Sequence, residues 1–226
     1  MTKVWITRTR PAADESAIAW RAAGFEPMVS PLLEIQPIQD SAPYIGDVLI
    51  FTSKNGIDHV ERHDIPVVCV GDATADYARK AGYSDVVSVD GTSRDVTAWV
   101  TANYKRPTAV CHVSGWHVRG TITEDLADAG YLATRAIVYR SRPRPIWPET
   151  PVSHLALYSP LAARVFADLA RGGRLSGLTA ICISQATADA LAGVELRSII
   201  IAARPREDEL IMAAKFALPQ ALEING

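Results

Sequence analysis

Short runs of β-branched and other apolar residues alternate along the chain with longer, Ala-rich segments whose apolar positions recur at helical spacing. The runs predict strands at Val4–Thr7, Val48–Thr52, Val67–Val70, Val86–Val89, Ala109–Val113, Ala136–Arg140, Leu155–Tyr158, Ala180–Ile183 and Ile199–Ala202. Most are apolar at every position rather than at alternate ones, as in parallel sheets covered on both faces. Between them the spacing predicts helices at Ala12–Ala23, Ala73–Ala81, Val96–Ala102, Gly120–Ala129, Leu161–Leu169 and Thr187–Ala192. The alternation is that of an α/β protein with doubly wound parallel sheets.

A repeat runs through these elements. VLIFTSKNG (48–56) resembles LALYSPLAA (155–163), and VVCVGDATADYA (67–78) resembles AICISQATADAL (180–191). Asp95 follows Thr74, and Asp208 follows Thr187, by the same 21 residues, each in a polar turn that opens a helix. A weaker pair matches Val4 through Gly24 to Val110 through Gly130. The segments LLEIQPI (32–38) and AIVYRSRP (136–143), both flanked by prolines, read as extended connections. Two lobes joined by two such segments would leave a cleft at sheet ends, where open α/β sheets bind ligands. The repeat alone leaves open whether each copy forms its own lobe or the two exchange units.

Composition narrows the classes. The 226 residues are 48% hydrophobic and 21% charged, with a formal net charge of −2, so no global basic field attracts nucleic acid or anionic lipid. Cys69, Cys111 and Cys182 each sit inside an apolar run, which predicts small buried hydrophobes rather than disulfides or a zinc site. No apolar stretch approaches the ~18 residues of a membrane span, and the first residues, MTKVWITRTRP, carry charge where a signal peptide would be apolar. A cytoplasmic location is expected.

Nearly every predicted strand runs into a Ser/Thr/Gly turn and then a helix: Thr7-Arg8, Ser53-Lys54, Gly71 to Thr74, Ser114-Gly115, Ser159-Pro160, and Ser184 to Thr187. Each turn offers helix N-terminal amides and hydroxyls that either cap the helix or bind an anion. Together they favour a ligand with several negative charges. None fits a dinucleotide or nucleoside-triphosphate loop, which argues against a nucleotide-sugar or phosphosugar enzyme. Arginines near strand ends or connections, Arg8, Arg10, Arg119, Arg140, Arg142 and Arg164, suit carboxylate recognition. His59 and His63 are expected on one solvated helix face, and no catalytic triad can be assigned.

The ordered set VWITR, GFEP, PLLEI, IFTSKNGI, VGDATADYARKAGY, SGWHVRG, AIVYRS, YSPLAAR and ISQATADAL resembles the uroporphyrinogen-III synthase family over nearly the whole chain. The resemblance implies two flavodoxin-like lobes joined by a two-stranded linker with a cleft between them. One lobe would hold residues 1–36 and 147–226, the other 43–138, with linkers at 37–42 and 139–146. It implies a lyase that closes hydroxymethylbilane to uroporphyrinogen III, losing water and inverting the last pyrrole ring. Tyr139 matches the cleft tyrosine, and a phenol, protonated at neutral pH, can assist the departing hydroxyl. Arg8, Ser53, Lys54, Gly71, Thr74, Ser114, Arg119, Ser159, Ser184 and Thr187 are the implied substrate-binding residues. No cofactor or metal is implied, nor any nucleic-acid or membrane partner. The expected form is a monomer that takes its substrate from hydroxymethylbilane synthase by transient handover. The chain departs from the family pattern at Gln185 and at Trp116-His117, where smaller or more polar turns are usual. A two-lobed tetrapyrrole-binding or regulatory module without turnover is the alternative.

Overall fold

The computed structural model describes residues 1–38, 46–118, 120–171, 173 and 175–217. Strand β1 (Thr2–Ile6) leads through helix α1 (Ala12–Ala22) to β2 (Phe25–Val29) and β3 (Leu33–Pro37). There follow β4 (Val48–Phe51), α2 (Lys54–Ile57), β5 (Val67–Cys69), α3 (Asp72–Lys80), β6 (Val86–Ser88) and α4 (Ser93–Asn103). Next come β7 (Ala109–Gly115), α5 (Ile122–Asp128) and β8 (Leu132–Pro143). The last third carries β9 (His154–Leu157), α6 (Pro160–Leu169), β10 (Leu175–Cys182), α7 (Gln185–Asp189), β11 (Leu196–Ile201) and α8 (Glu207–Phe216).

The chain divides into two compact units, one of Met1–Glu34 together with the chain from Arg142 onward, the other of Ile35–Ser141. The first is built on a sheet in the order β11-β10-β9-β1-β2, all of whose pairings are parallel. Taken in chain order its strands lie 2-1-3-4-5, the flavodoxin-like winding. The second is built on a sheet in the order β3-β8-β7-β4-β5-β6, with β4, β5, β6, β7 and β8 joined in parallel.

Laid side by side, β6-β5-β4-β7-β8 and β11-β10-β9-β1-β2 are the same arrangement, and the repeat explains why. The repeat pairs β4 with β9, β5 with β10 and β1 with β7. Each unit therefore takes its first strand–helix–strand piece from one copy of the repeat and the rest from the other. Gly24 and Gly130, equivalent in the repeat, end α1 and α5 at φ +93° and +89°, a region that side chains with a Cβ avoid.

Alternation within the strands fills both faces of each sheet. Leu49 and Phe51 pack with Ile57, Ala75 and Ala78 of α2 and α3, while Val48 and Ile50 pack with Val96, Val100, Ile122 and Leu126 of α4 and α5. In the first unit Trp5, Leu155 and Leu157 meet α6, and Val4, Ile6 and Ala156 meet α1 and α8. Each fully buried large side chain contributes roughly 1.5–3 kcal/mol, so apolar runs of this kind hold the sheets between their helices. The three cysteines are free and buried in these cores, and burial pushes the Cys69 and Cys182 thiols up to about 12.

Two details depart from the sequence reading. Phe25–Val29 is a strand although its apolar run is broken by Pro27, which a strand at the sheet edge tolerates. His59 and His63 do not share a helix face: α2 ends at Ile57, His59 lies in the turn after it, and His63 lies in the irregular stretch before β5. Strand β8 runs as far as Pro143 and pairs with β3, the Ile38 amide donating to the Val138 carbonyl at 2.9 Å. Of the expected linker 37–42, residues 39–42 lie outside the described residues.

Candidate active site

In the second unit the expected residues stand at the carboxyl ends of three neighbouring strands, β5, β4 and β7, and, for Tyr139, within β8 opposite the last residue of β7. The winding reverses between β4 and β7, and ligands bind open α/β sheets at such a reversal. Ser53, in extended backbone after β4, caps α2 by accepting the Asn55 amide at 3.3 Å. Lys54 follows it, its ammonium 5.6 Å from the Tyr77 ring centroid. Gly71 caps α3 after β5, and a Cβ there would meet nothing within 4 Å. Packing therefore does not require the glycine, which leaves the first amides of α3 uncovered. Thr74, one turn into α3, is buried.

Tyr139 and Gly115 face each other across β7 and β8 through an irregularity. Ser114 pairs with Ile137 but Gly115 pairs with Tyr139, so Val138 is an extra residue on β8. A bulge re-aims the side chains that follow it. Ala136, Val138 and Tyr139 consequently all pack in one cluster, where strict alternation would turn Tyr139 away. Its ring lies over Gly115, with the ring of His59 at 6.0 Å. The Tyr139 carbonyl accepts the Trp116 amide at 2.8 Å. Arg135, also on β8, donates from Nε to the Ser114 hydroxyl at 2.8 Å and from Nη2 to the carbonyls of Gly115 at 2.6 Å and Trp116 at 2.8 Å. Ser114 is thus held by a cation, and the Tyr139 hydroxyl has no hydrogen-bond partner among the described residues.

The first unit gathers the other expected residues at the ends of β10, β9 and β1. Ser159 caps α6, accepting the Ala162 amide at 3.2 Å. Ser184 and Thr187 bond to each other at 3.0 Å, with Thr187 fully buried. Arg8 joins a network around one carboxylate. Glu207, in the first turn of α8, accepts from Arg8 Nη1 at 3.0 Å and the Ser16 hydroxyl at 2.9 Å on one oxygen, and from Trp20 Nε1 and the Tyr158 hydroxyl at 2.8 Å each on the other. The Arg8 guanidinium also stacks 4.6 Å from the Tyr158 ring centroid. Burial, reinforced by the Glu207 charge, pushes the Tyr158 phenol above its ordinary range. Sequence reasoning passed over Glu207, Tyr158 and Arg135. Their only linear trace is an acid, a tyrosine and an arginine next to predicted strand or helix ends.

Arg119 lies outside the described residues. Arg10 pairs with Asp14 at 3.4 Å, and Arg140, Arg142 and Arg164 are exposed. His112, buried on β7, lies 3.2 Å from the Thr52 hydroxyl, and burial with the nearby Arg135 charge lowers its pKa to about 4. Among the described residues no group of three or more His, Cys, Asp or Glu is placed to hold a metal ion, and no helix is long and apolar enough to cross a membrane. A pocket lined by Asp168, Arg171, Val194 and Glu195 lies where β10 and β11 begin, at the edge opposite the strand carboxyl ends.

A family model described as uroporphyrinogen-III synthase HemD matches residues 14–212. The chain belongs to the uroporphyrinogen-III synthase family. No curated protein matches it. Among solved structures, the uroporphyrinogen-III synthetase of Helicobacter pylori is 18% identical with a TM-score of 0.65, over 96% of this chain and 99% of that one. A substituted uroporphyrinogen III synthase of the extremely thermophilic bacterium Thermus thermophilus is 16% identical with a TM-score of 0.51, over 96% and 98%. These likenesses establish the shared fold. Within the synthase family, then, this chain sets a tyrosine over a glycine at a strand bulge and places hydroxyl-bearing turns at the strand carboxyl ends of both units.

Proposed function

We propose that the chain is a lyase that closes hydroxymethylbilane to uroporphyrinogen III, with loss of water and inversion of the last pyrrole ring. Family membership over residues 14–212 is the observation that carries this reading. The geometry supports it through Tyr139, whose hydroxyl is free of protein partners among the described residues. In this reading Tyr139 donates its proton, or a hydrogen bond, to the terminal hydroxyl of the bilane as it leaves as water. The azafulvenium cation that remains is attacked by the substituted α-carbon of the last pyrrole. In the spiro intermediate the bond from that carbon to its original methylene breaks, and the methylene rejoins the ring at its free α-carbon. Loss of the proton from that free α-carbon restores the inverted pyrrole and leaves Tyr139 protonated again.

Each pyrrole of the substrate bears an acetate and a propionate, so the ligand is a polyanion. Ser53 and Ser159 accept helix amides and keep their own O–H bonds to donate to carboxylates. Of the mutually bonded Ser184 and Thr187 hydroxyls, one proton stays available. Gly71 exposes amides of α3, with Thr74 one turn behind, Lys54 adds positive charge, and Arg8, paired through Nη1 with Glu207, offers its remaining N–H groups. Ser114 holds the turn beside Tyr139, and Arg119 completes the assigned set. Because the linear substrate also closes spontaneously to the other isomer, much of the catalysis is control of its folding rather than activation of a side chain. The reading requires no metal or prosthetic group. It takes the protein to act as a monomer in the cytoplasm, receiving its substrate from hydroxymethylbilane synthase. The test is incubation of the purified chain with freshly generated hydroxymethylbilane, followed by separation of the oxidised product isomers. Isomer III supports the reading, and isomer I alone refutes it.

A further inference from the structure

Trp116 is 60% exposed, whereas Trp5 and Trp20 are fully buried. Exposing an indole forgoes a large hydrophobic gain, and the place of this one is informative. It follows β7 directly, on the strand that borders the reversal of winding, and its neighbours in chain and space are Gly115 and Tyr139.

The backbone that carries it is fixed on both sides. Its amide donates to the Tyr139 carbonyl at 2.8 Å, and its carbonyl accepts from Arg135 Nη2 at 2.8 Å. Arg135 also holds the two preceding residues, through the Gly115 carbonyl and the Ser114 hydroxyl. Its guanidinium, held only by neutral acceptors and without an ion-pair partner among the described residues, lies at the foot of an exposed aromatic ring. A flat ring bearing carboxylates is the ligand that uses both groups at once: its face meets the indole, and its acid meets the field of the guanidinium.

We propose that Trp116 contacts the substrate, its indole taking the face of one carboxylate-bearing pyrrole, and that Arg135 is the positioning residue that presents it. This inference rests on the tetrapyrrole reading above and adds a contact to it. Fixing the turn in advance removes an ordering cost from binding.

The test compares the parent chain with Trp116→Ala, Trp116→Phe and Arg135→Lys, reading KM and kcat with hydroxymethylbilane, the calorimetric Kd for uroporphyrin III, and the melting temperature. In Trp116→Ala, KM and Kd are expected to rise about 5- to 10-fold, as for the loss of one aromatic contact, with kcat within twofold and melting unchanged. Trp116→Phe should recover most of the loss. Arg135→Lys should weaken binding in the parent background and by much less in the Trp116→Ala background, because its effect passes through the indole. Parent-like KM and Kd in Trp116→Ala overturn the inference while leaving the family reading intact. Equal effects of Arg135→Lys in both backgrounds overturn the role assigned to Arg135. A parent chain that neither closes hydroxymethylbilane nor binds uroporphyrin III overturns the functional reading, and the proposed ligand with it.

Discussion

The phenol ring of Tyr139 lies against the α-carbon of Gly115, so closely that a methyl group on residue 115 would come within 2.5 Å of Cε2 and 2.6 Å of Cζ. Only glycine admits the ring there. The contact follows from the extra residue Val138 on β8, so the position of the proposed proton donor depends on a strand irregularity and on a missing side chain opposite it. Gly115→Ala should displace the ring and cost about 1–3 kcal/mol of stability through overpacking. Its kcat should fall at least as far as that of a variant lacking the phenol. Denaturant unfolding and steady-state kinetics on the same preparation check both statements, and parent-like kcat would separate the ring's position from turnover.

Tyr139→Phe keeps the ring on Gly115 and removes only the hydroxyl. With its packing retained, its melting temperature should match the parent's. Its kcat should drop about 10- to 100-fold with little change in KM, since a group that acts as the hydroxyl departs stabilises the transition state more than the bound substrate. A raised KM with unchanged kcat would make Tyr139 a binding residue instead.

Glu207 gathers four donors from α1, the turn after β1 and the end of β9. Its loss leaves Arg8, Ser16, Trp20 and Tyr158 without their shared acceptor. Because the carboxylate is partly exposed, Glu207→Ala should destabilise the protein by about 2–3 kcal/mol rather than by the larger penalty of a fully buried pair. Tyr158→Phe should cost about 1–1.5 kcal/mol. Urea unfolding midpoints at constant slope measure both.

His112 gives the stability of the protein a defined pH dependence. Its pKa in the folded protein is lowered to about 4 by burial and by Arg135, against about 6.5 in an unfolded chain. The unfolded state therefore binds the proton first. The stability due to keeping His112 neutral is complete above about pH 6.5 and is lost as pH falls towards 4, by up to roughly 3 kcal/mol. Urea unfolding of the parent and of His112→Gln across this range should show a parent curve that falls more steeply with acid, and parallel curves would contradict the assignment.

Much of the fold was legible because its physics is local. Strands such as Val48–Phe51 are covered on both faces and so read as unbroken apolar runs, and the Ala-Gly pairs after α1 and α5 mark left-handed helix ends. The repeat was legible as well, and it matches strands that hold equivalent places in the two sheets. The candidate site was only partly so. Hydroxyls such as Ser53 and Ser159 stand at strand ends because they cap helices, and the cap pattern is local. By contrast, the Arg8–Glu207 contact joins residues 199 apart in the chain. The seat of Tyr139 depends on a bulge that no residue type announces. Arg135 falls just before the predicted strand Ala136–Arg140 with nothing in the sequence to mark it, and its grip on the turn after β7 appears only once β7 and β8 are paired.

The measurement that bears most directly on the account is the ratio of uroporphyrinogen isomers formed from a fixed amount of hydroxymethylbilane as the concentration of the purified chain is raised from zero. Without protein isomer I alone is expected, with a progressive shift to isomer III that approaches completeness when enzymatic closure outruns the spontaneous reaction. Isomer I at every protein concentration, formed at the spontaneous rate, would contradict it.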